Sequence, residues 1–532
     1  MSTSRTPAPA VARWWAATDP AGPAPTIATS NSLTGGTLLP KLLSIAVVAS
    51  NQPAPLRDVT IDGPLLEGLR RDAPWAEADA VAFAAELGGE PRDWGRLANV
   101  HPPVLRGDGE VQFHPAWDSL LALGLRHGLQ SSPWREPRDG AHVARAAKFM
   151  LLTQVEAGVG CPLSMTHAAV PALRATPALA AVWEPRLLEG NALCGMSMTE
   201  RQGGSDVRTN AMRADPAGDG EATLHGEKWF CSAPMSDAFL VLAQAPAGLS
   251  CYLVPRGEGF VIERLKNKLG NRSNASAEIG LDGAHGYLVG EEGRGIAAII
   301  EMVVHTRLDC VLGSAALMRE ALAQALNWCA GRVAFGKALV EQPLMQNVLA
   351  DLCIESEAAT LSALRLARAF DENDDFRRIG TAVLKYWVCK RTPALVGEAL
   401  ECLGGNGFVE DSGLPRLYRE SPLNSIWEGS GNVQCLDVLR ALQREPDAAE
   451  RFLAELEPRD GAVVEPALAG ADEAGARRLV ETMAIALQAT LLDRHGDPAV
   501  AGAFRARDRH AAFGTLPNGL PLAAIIERHS PA

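Results

Sequence analysis

The chain has 532 residues, of which 47% are hydrophobic and 21% are charged. This composition is that of an ordinary folded protein and excludes a chain that is disordered, collagen-like or coiled-coil throughout. The net charge of −13 repels polyanions, so nucleic-acid binding would require a local basic patch. At roughly 150 residues per domain, the length allows three or four domains.

Cysteine usage and hydropathy bear on metal sites, disulfides, cellular location and membrane association. Ten cysteines lie between Cys161 and Cys435 without a Cys-x-x-Cys pair or clustered histidines, so we predict neither a metal site nor a disulfide framework. Reduced thiols favour a cytoplasmic location. The longest apolar run, 38–49, is interrupted by Pro40 and Lys41 and is shorter than the roughly 18 residues that cross a membrane. We therefore predict no membrane association.

The N-terminal 46 residues are predicted to form a disordered extension. Up to about Gly36 they are rich in Ala, Pro, Thr and Ser, a composition that buries little apolar surface. A targeting presequence has a similar composition, and a start codon assigned too far upstream would have the same appearance. These alternatives stay open.

Hydrophobic periodicity then divides the chain. Helical spacing at Leu66 and Leu69, and again from Val143 to Met150, indicates helices from about Asp58 to Pro216, and we assign an N-terminal helical domain to 47–195. A middle antiparallel β domain is predicted over 196–292. Short runs rich in Val, Leu, Ile and aromatic residues, separated by Gly and Pro turns, are its predicted strands: 221–232, 239–245, 249–255, 260–265 and 276–282.

The helical period returns at Gly295 and continues on one face of a long helix from Val311 to Val333. Further helices are predicted around 346–371, 380–403 and 433–443, which form a helical bundle over 293–444. An extra helical segment is predicted over 445–532. The order of helices, small sheet and helical bundle indicates an α+β multidomain fold.

No predicted strand leads into a Gly-x-Gly-x-x-Gly turn, so the sequence does not support a Rossmann dinucleotide site. Two strings at the predicted sheet contain candidate ligand contacts of another kind. The string 198–206 supplies small and hydroxyl-bearing residues whose backbone N–H groups suit a phosphate or a flavin edge; an ordinary surface turn is the alternative. The string 226–232 ends in aromatic residues and a hydroxyl, which provide stacking area and one hydrogen bond. A core aromatic cluster is the alternative there.

Two further strings carry charge. Residues 270–273, with Arg332, Phe335 and Gln342, combine guanidinium, amide and hydroxyl groups that suit a pyrophosphate or carboxylate, unless they form structural ion pairs. In the fourth string, Glu428 stands between Trp427 and a glycine turn. Such a carboxylate can be desolvated, which raises its pKa towards the range of a general base. A helix N-terminal acid is the alternative.

These four strings, in this order and at these separations, resemble the acyl-CoA dehydrogenase superfamily. Within it they are most similar to the AidB branch, the DNA-alkylation-response flavoproteins related to isovaleryl-CoA dehydrogenase. The resemblance runs from about Asn51 to Arg444 and includes 95–100, 149–158 and 269–276. It implies a helical N-terminal domain, a middle β domain and a C-terminal four-helix bundle, with FAD between the sheet and the bundle.

The resemblance also assigns roles to single residues. Glu428 is implied to be the base that removes the proton α to a thioester, while the β-hydride passes to the flavin. The implied contacts to the flavin ring and phosphates are Met198, Thr199, Gly204 and Ser205, flanked by Trp229, Phe230 and Ser232. The implied contacts to the flavin and adenosine portion are Trp427, Gly429, Ser430 and Asn432. The implied contacts to the ADP half of an FAD held mainly by a neighbouring subunit are Arg332, Phe335, Gln342, Gly404 and Gly405. The last set implies a homotetramer.

The resemblance thus predicts an FAD-dependent α,β-dehydrogenase acting on a short or branched acyl-CoA. One alternative is a protective flavoprotein that binds double-stranded DNA and has weak dehydrogenase activity; another is a flavin oxygenase on the same scaffold. Residues 441–532 hold ten arginines, no lysine and fourteen acidic residues, which argues against a phosphate-binding domain. Arg505, Arg507 and Arg509 are the candidate DNA contacts, with a solvated helix face as the alternative reading of them.

Overall fold

The N-terminal part of the described chain is mainly helical. The structure, a computed structural model, describes residues 57, 59, 61–508 and 513–530, so the predicted extension over 1–46 lies outside the described residues. The elements in chain order are α1 (Gly63–Asp72), α2 (Glu77–Glu86), α3 (Glu90–Val100), β1 (Val104–Leu105), β2 (Val111–Gln112), α4 (Pro115–Arg126), α5 (Ser132–Arg135), α6 (Ala141–Val155), α7 (Gly160–Leu173) and α8 (Pro177–Leu188). Polar caps begin two of them: Asp62 accepts the N–H of Leu65, and His114 accepts the N–H of Ala116.

Helix α6 passes through the centre of this part, because all of its residues are buried. Its buried cations are paired with carboxylates on neighbouring elements. Both terminal nitrogens of Arg145 donate to Asp309 at 2.7 Å, and Lys148 donates to Asp79 at 2.7 Å. A buried charge is tolerated only when it is paired in this way. Helix α6 is therefore fully covered and has no solvent-facing stripe.

A β-sheet follows the helical part, as the sequence predicts. Its strands are β3 (Cys194–Ser197), β4 (Arg213–Gly218), β5 (Glu221–Ser232), β6 (Ala238–Ala245), β7 (Gly248–Pro255), β8 (Phe260–Leu265) and β9 (Ser276–Val289). The strand order is β3-β6-β4-β5-β9-β7, with β8 paired to β9 and β6 paired again to β7, so the sheet closes on itself. The five predicted strands are confirmed. The pairing is not wholly antiparallel, because β3 runs parallel to β6.

The chain becomes helical again after the sheet. The elements are α9 (Gly295–Gly331), β10 (Val333–Ala334), β11 (Lys337–Ala338), α10 (Pro343–Asp371), α11 (Phe376–Cys402), α12 (Leu414–Glu420) and α13 (Gly431–Arg444). Helix α9 is about 55 Å long at 1.5 Å per residue, and it packs against α10, α11, α6, α7 and β7. It therefore connects the N-terminal helices, the sheet and the bundle.

The C-terminal segment packs onto this bundle. It comprises α14 (Ala448–Ala454), α15 (Pro458–Ala469), α16 (Ala476–His495), α17 (Pro498–Ala506) and α18 (Leu522–His529). Trp387 of α11 donates its indole N–H to Gln488 of α16 at 3.0 Å, and Arg528 of α18 donates to Glu357 of α10 at 2.9 Å. The mixed α and β architecture predicted from the sequence is confirmed. Within the described ranges, no helix combines the length and the apolar character needed to cross a membrane.

Candidate active site

A strained turn presents Glu428 between α12 and α13. Glu428 has φ of 57° and Gly429 has φ of 95°, both in the region that L-residues rarely adopt. A Cβ atom on Gly429 would lie 2.7 Å from Nε2 of Gln434. Glycine is therefore required after Glu428, and the strain must be offset by contacts around the turn.

Three side chains from three helices hold the carbonyl groups of this turn. Lys385 of α11 is buried and its Nζ donates to the Trp427 carbonyl at 2.7 Å and to the Gly429 carbonyl. Arg307 of α9 and Gln434 of α13 donate to the Glu428 carbonyl at 2.9 and 3.0 Å. The turn is thus fixed by α9, α11 and α13 together.

The Glu428 side chain lies against α9. Its Oε2 accepts the hydroxyl of Thr306 at 2.7 Å. Burial raises the pKa of Glu428, and the Thr306 hydroxyl and the cations Lys385 and Arg307 offset part of that rise. A carboxylate whose pKa is raised is a stronger base than one in water, while the hydroxyl keeps it oriented. Within the described chain, the Glu428 backbone N–H has no acceptor.

The loop that begins at Met198 is attached to β5 by a buried ion pair. Nζ of Lys228 lies 2.7 Å from Oε1 of Glu200, and the same carboxylate accepts the N–H groups of Ala211 and Met212. The N–H of Trp229 donates to the Thr199 carbonyl at 2.8 Å. The first two strings of the sequence therefore form one structural unit.

The tip of this loop exposes donors. Gly204 and Ser205 are exposed, and among the described residues neither backbone N–H has a hydrogen-bond acceptor. A Cβ atom at Gly204 would lie 2.4 Å from Oγ1 of Thr199, so a side chain does not fit at this position and none covers the backbone. Exposed N–H groups next to a hydroxyl suit an anion such as a phosphate.

The aromatic end of β5 is only partly covered. Trp229 is half-buried beneath Nζ of Lys266, which lies 3.4 Å from the ring centroid, whereas Phe230 is 49% exposed. The Ser232 hydroxyl lies 3.3 Å from that of Ser276. These residues leave apolar ring area and a hydroxyl at the edge of the sheet, which suits a planar ligand.

Several predicted site residues lie close together around the start of α7. Met198 and Trp427 pack on the same buried apolar cluster, formed mainly by α7, the sheet and the start of α9. Burial raises the pKa of the Cys161 thiol to about 12, and both Glu428 and Ser232 are near enough to influence it. The loop at Met198, the end of β5 and the Glu428 turn therefore meet around the start of α7.

The other predicted flavin contacts lie elsewhere in the chain. Arg332 follows the last residue of α9, roughly 38 Å along the helix axis from Arg307 at 1.5 Å per residue, and Phe335 lies beyond it in the β10–β11 turn. Gly404 follows α11, about 29 Å from Lys385 by the same measure. The residues placed at these far ends are Arg332, Phe335, Gln342, Gly404 and Gly405. They cannot reach a ligand bound at Glu428 of the same chain unless it spans the bundle.

A cavity of about 300 Å³ lies beside the Glu428 turn. Ser430 and Asn432 line it together with the cations Lys390 of α11 and Arg477 of α16, and Nε of Arg477 donates to Oδ1 of Asn432 at 2.7 Å. The two cations on the lining of this cavity suit a pyrophosphate. Arg477 comes from the C-terminal segment.

Sequence reasoning missed the residues that position the base. These are Thr306, Arg307, Lys385 and Gln434, and the cavity cations Lys390 and Arg477 were missed as well. Each lies within a helix whose local sequence pattern indicates no ligand site. The segments that contribute them are far apart in sequence, so no spacing connects them to Glu428.

The arginines considered for DNA binding are engaged within the protein. Arg505 is paired with Asp460 and Asp493. Arg507 is nearly buried, with Nε 2.8 Å from Oδ1 of Asp351 and a second ion pair to Glu355. Arg509 lies outside the described residues.

Comparison with known proteins identifies the family to which this fold belongs. Residues 51–191 match the Adaptive response protein AidB N-terminal domain, 195–284 the acyl-CoA dehydrogenase middle domain, and 293–443 the acyl-CoA dehydrogenase C-terminal domain. The chain therefore belongs to the acyl-CoA dehydrogenase family, whose members are FAD-dependent oxidoreductases. It is 46% identical over 433 residues to AidB of Escherichia coli strain K12, covering 74% of this chain and 80% of that protein, which makes it an AidB-like member.

Two further relatives place the chain within the family. Acyl-CoA dehydrogenase family member 11 of Caenorhabditis elegans is 32% identical over 433 residues, 71% of this chain and 70% of that protein. The crystal structure of C. elegans ACDH-11 in complex with C11-CoA superposes with a TM-score of 0.76 at 26% identity, covering 94% of this chain and 93% of that chain. Rice mitochondrial isovaleryl-CoA dehydrogenase is 26% identical over 280 residues, 51% of this chain and 68% of that protein. The resemblance inferred from the sequence is confirmed.

Proposed function

We propose that the protein oxidises a short or branched acyl-CoA thioester to the α,β-unsaturated thioester, with FAD as its cofactor and Glu428 as the base. One observation carries the proposal. The Glu428 carboxyl group is partly buried, oriented by Thr306, and presented by a turn that three helices hold in place. An oriented carboxylate with a raised pKa is what proton abstraction next to a carbonyl requires.

The residues around the turn fit FAD. The exposed donors at Gly204 and Ser205 suit phosphate oxygens, and the partly exposed rings of Trp229 and Phe230 suit a planar ring system. When bound, FAD supplies the acceptor for a hydride.

The chemistry of the protein side is a proton transfer. Glu428 would take the α-hydrogen of the thioester as a proton on its carboxylate, bound FAD would supply the acceptor for the β-hydride, and a double bond would form between the two carbon atoms. Negative charge develops on the thioester oxygen during this step. We infer that the Glu428 backbone N–H, which has no acceptor within the described chain, donates to that oxygen.

The choice of acyl group rests on relatives. Rice isovaleryl-CoA dehydrogenase supports a branched chain, whereas C. elegans ACDH-11 was crystallised with C11-CoA. Isovaleryl-CoA is therefore the first substrate to test, and a longer straight-chain acyl-CoA is the second.

An anaerobic titration of the purified protein with isovaleryl-CoA tests the proposal. We expect a visible flavin spectrum that bleaches stoichiometrically as the thioester is added. A flavin spectrum that stays oxidised with both thioesters would refute the dehydrogenase function. Absence of flavin, even after reconstitution with FAD, would refute the cofactor assignment as well.

We also propose that the protein acts as a homotetramer in which copies complete one another's FAD sites. The residues at the far ends of α9 and α11 lie too far from Glu428 to serve the same cofactor. Large apolar side chains close to them in sequence are strongly exposed, namely Phe335 at 98%, Leu344 at 83% and Phe408 at 83%. Exposed aromatic and aliphatic groups of this size mark an association surface.

The alternative of a protective DNA-binding flavoprotein finds no support in its candidate contacts. Arg505 and Arg507 are held by carboxylates, and releasing them to bind phosphates would break those ion pairs.

Ten free cysteines, all buried, support a reducing compartment, and we propose the cytoplasm as the cellular location.

A further inference from the structure

Three buried histidines meet where α6, α7 and α9 pack together. His142 is on α6, His167 on α7 and His305 on α9, and their exposed fractions are 8%, 0% and 6%. One ring nitrogen from each lies within 4.8 Å of the others. In sequence they are separated by 25 residues or more, so no metal-ligand spacing was visible there.

The ring nitrogens of this cluster are unpartnered. Nδ1 of His142, both ring nitrogens of His167 and Nδ1 of His305 have no hydrogen-bond partner among the described residues. A neutral imidazole carries one donor and one acceptor, so both polar atoms of His167 are buried without compensation. Buried polar atoms in folded proteins are almost always satisfied, and a set that converges needs an explanation.

Among the described residues the surroundings are mainly aromatic, with the Gln130 backbone as a polar neighbour of His167 that makes no hydrogen bond of normal geometry. The Trp134 ring stacks on His167 at a centroid distance of 4.9 Å and meets His142 and His305 edge-on at 5.1 and 5.3 Å. Its indole N–H is already used by the His167 carbonyl at 3.0 Å. The Phe370 ring lies 4.8 Å from His305. The cluster is therefore an apolar pocket with nitrogen atoms at its centre.

Two guanidinium groups, those of Arg145 and Arg377, act on the histidines, so a bound cation requires that nearby carboxylates offset them. The nearby guanidinium of Arg145 is neutralised by two hydrogen bonds to Asp309, each of 2.7 Å. The Asp371 carboxylate accepts the backbone N–H groups of His142 and Val143 at 2.7 and 3.1 Å, which places an anionic group beside the first histidine.

We propose that His142, His167 and His305 bind one divalent first-row transition-metal ion, of the kind represented by Zn²⁺. Neutral imidazole is a preferred ligand of these ions, whereas Mg²⁺ and Ca²⁺ prefer oxygen ligands. Nitrogens bound to one tetrahedral ion stand about 3.3 Å apart. The distance between any two of the three histidine nitrogens would therefore shorten by at most about 1.5 Å when the ion binds. Within the described residues no carboxylate or thiol joins the cluster, which leaves the fourth position for water or another small ligand.

The proposed site adjoins the Glu428 turn without sharing its residues. His305 directly precedes Thr306, the residue that orients the Glu428 carboxylate. The metal site does not depend on the proposed dehydrogenase function, because its evidence is the histidine cluster alone.

Metal binding can be measured on the full-length protein. After treatment with a chelator, titration with Zn²⁺ by calorimetry and with Co²⁺ by visible absorption should give one ion per chain, and the melting temperature should rise with Zn²⁺. His167→Gln should weaken binding by about a hundredfold or more and abolish the rise in melting temperature. His285→Gln, at a half-exposed histidine on β9, is the matched control and should bind as the parent does.

His305→Gln provides a second test if His167→Gln fails to fold. No Co²⁺ absorption by the folded parent protein would overturn the proposal. Binding by either folded variant with the parent's affinity would also overturn it, since the ion would then lie elsewhere. These outcomes are independent of whether the flavin is bleached by an acyl-CoA.

Discussion

Among the single residues, Glu428 matters most for the proposed reaction, because its surroundings make it basic. Burial raises its pKa, while the Thr306 hydroxyl, which donates to the charged form, limits the rise. Together with the cations Lys385 and Arg307, which also lower the pKa of Glu428, these effects would set the pH above which the proposed base is deprotonated.

Removing the Thr306 hydroxyl should therefore change the pH profile. In Thr306→Val the charged carboxylate loses a donor, so the pKa of Glu428 rises further and the acidic limb of kcat/KM moves to higher pH by about one unit. The measurement is the rate of thioester oxidation across pH. Thr392→Val, at a buried threonine that bonds only its own helix, should leave the limb in place. An unmoved limb in Thr306→Val would show that another group sets it.

The candidate base was predictable from sequence because its neighbours are distinctive. Trp427 and Gly429 flank Glu428 in a short string, and that string occurs in a fixed order with three others. Arg307 and Lys385 were not predictable. Each is one cation in a long helix, and the carbonyl groups that it holds are defined only by tertiary packing.

At the scale of elements, strands were easier to predict than their pairing. The runs at 221–232 and 260–265 coincide with β5 and β8, because they are bounded by turn residues. β3 has four residues, and β4 contains Pro216 and Gly218, so neither shows a strand pattern. The parallel contact of β3 with β6 depends on long-range packing that local periodicity does not report.

Arg507, the residue that follows α17, pairs with Asp351 and Glu355 of α10, and this contact between elements can be tested. Burial raises the pKa of Glu355, but Arg391 and Arg507 outweigh that effect and bring it to about 2, so Glu355 is charged and depends on these partners. Arg507→Gln should lower the free energy of unfolding by about 3 kcal/mol, measured by urea denaturation. Arg478→Gln, at an exposed arginine on α16, should have little effect. If Arg507→Gln instead kept full stability and lost salt-dependent binding to duplex DNA, the DNA-binding alternative would gain support.

At the scale of the whole molecule, the chain separates the predicted flavin contacts into two sets. One set surrounds Glu428, and the other lies at the far ends of α9 and α11 beside exposed apolar side chains. Sequence order alone did not show this separation, which follows from the length of α9 and α11. A second copy of the chain is the simplest way to bring both sets to one cofactor.

A charge placed on that surface should dissociate the assembly. Phe335→Asp puts a carboxylate at a 98% exposed aromatic position, and we expect a smaller particle by light scattering together with a lower FAD content. Val463→Asp, at a 60% exposed position on α15, is the control for added charge alone. A Phe335→Asp protein with the parent's mass and FAD content would exclude this surface from the interface.

The most direct measurement of the central claim is the rate of flavin reduction by isovaleryl-CoA in stopped flow, comparing the parent protein with Glu428→Gln at matched FAD content. Glutamine keeps the size of the side chain and its bond to Thr306 but cannot take the α-proton. The account predicts that FAD is retained and that reduction slows by at least about a hundredfold. Reduction of Glu428→Gln at the parent rate would contradict the assignment of Glu428 as the base.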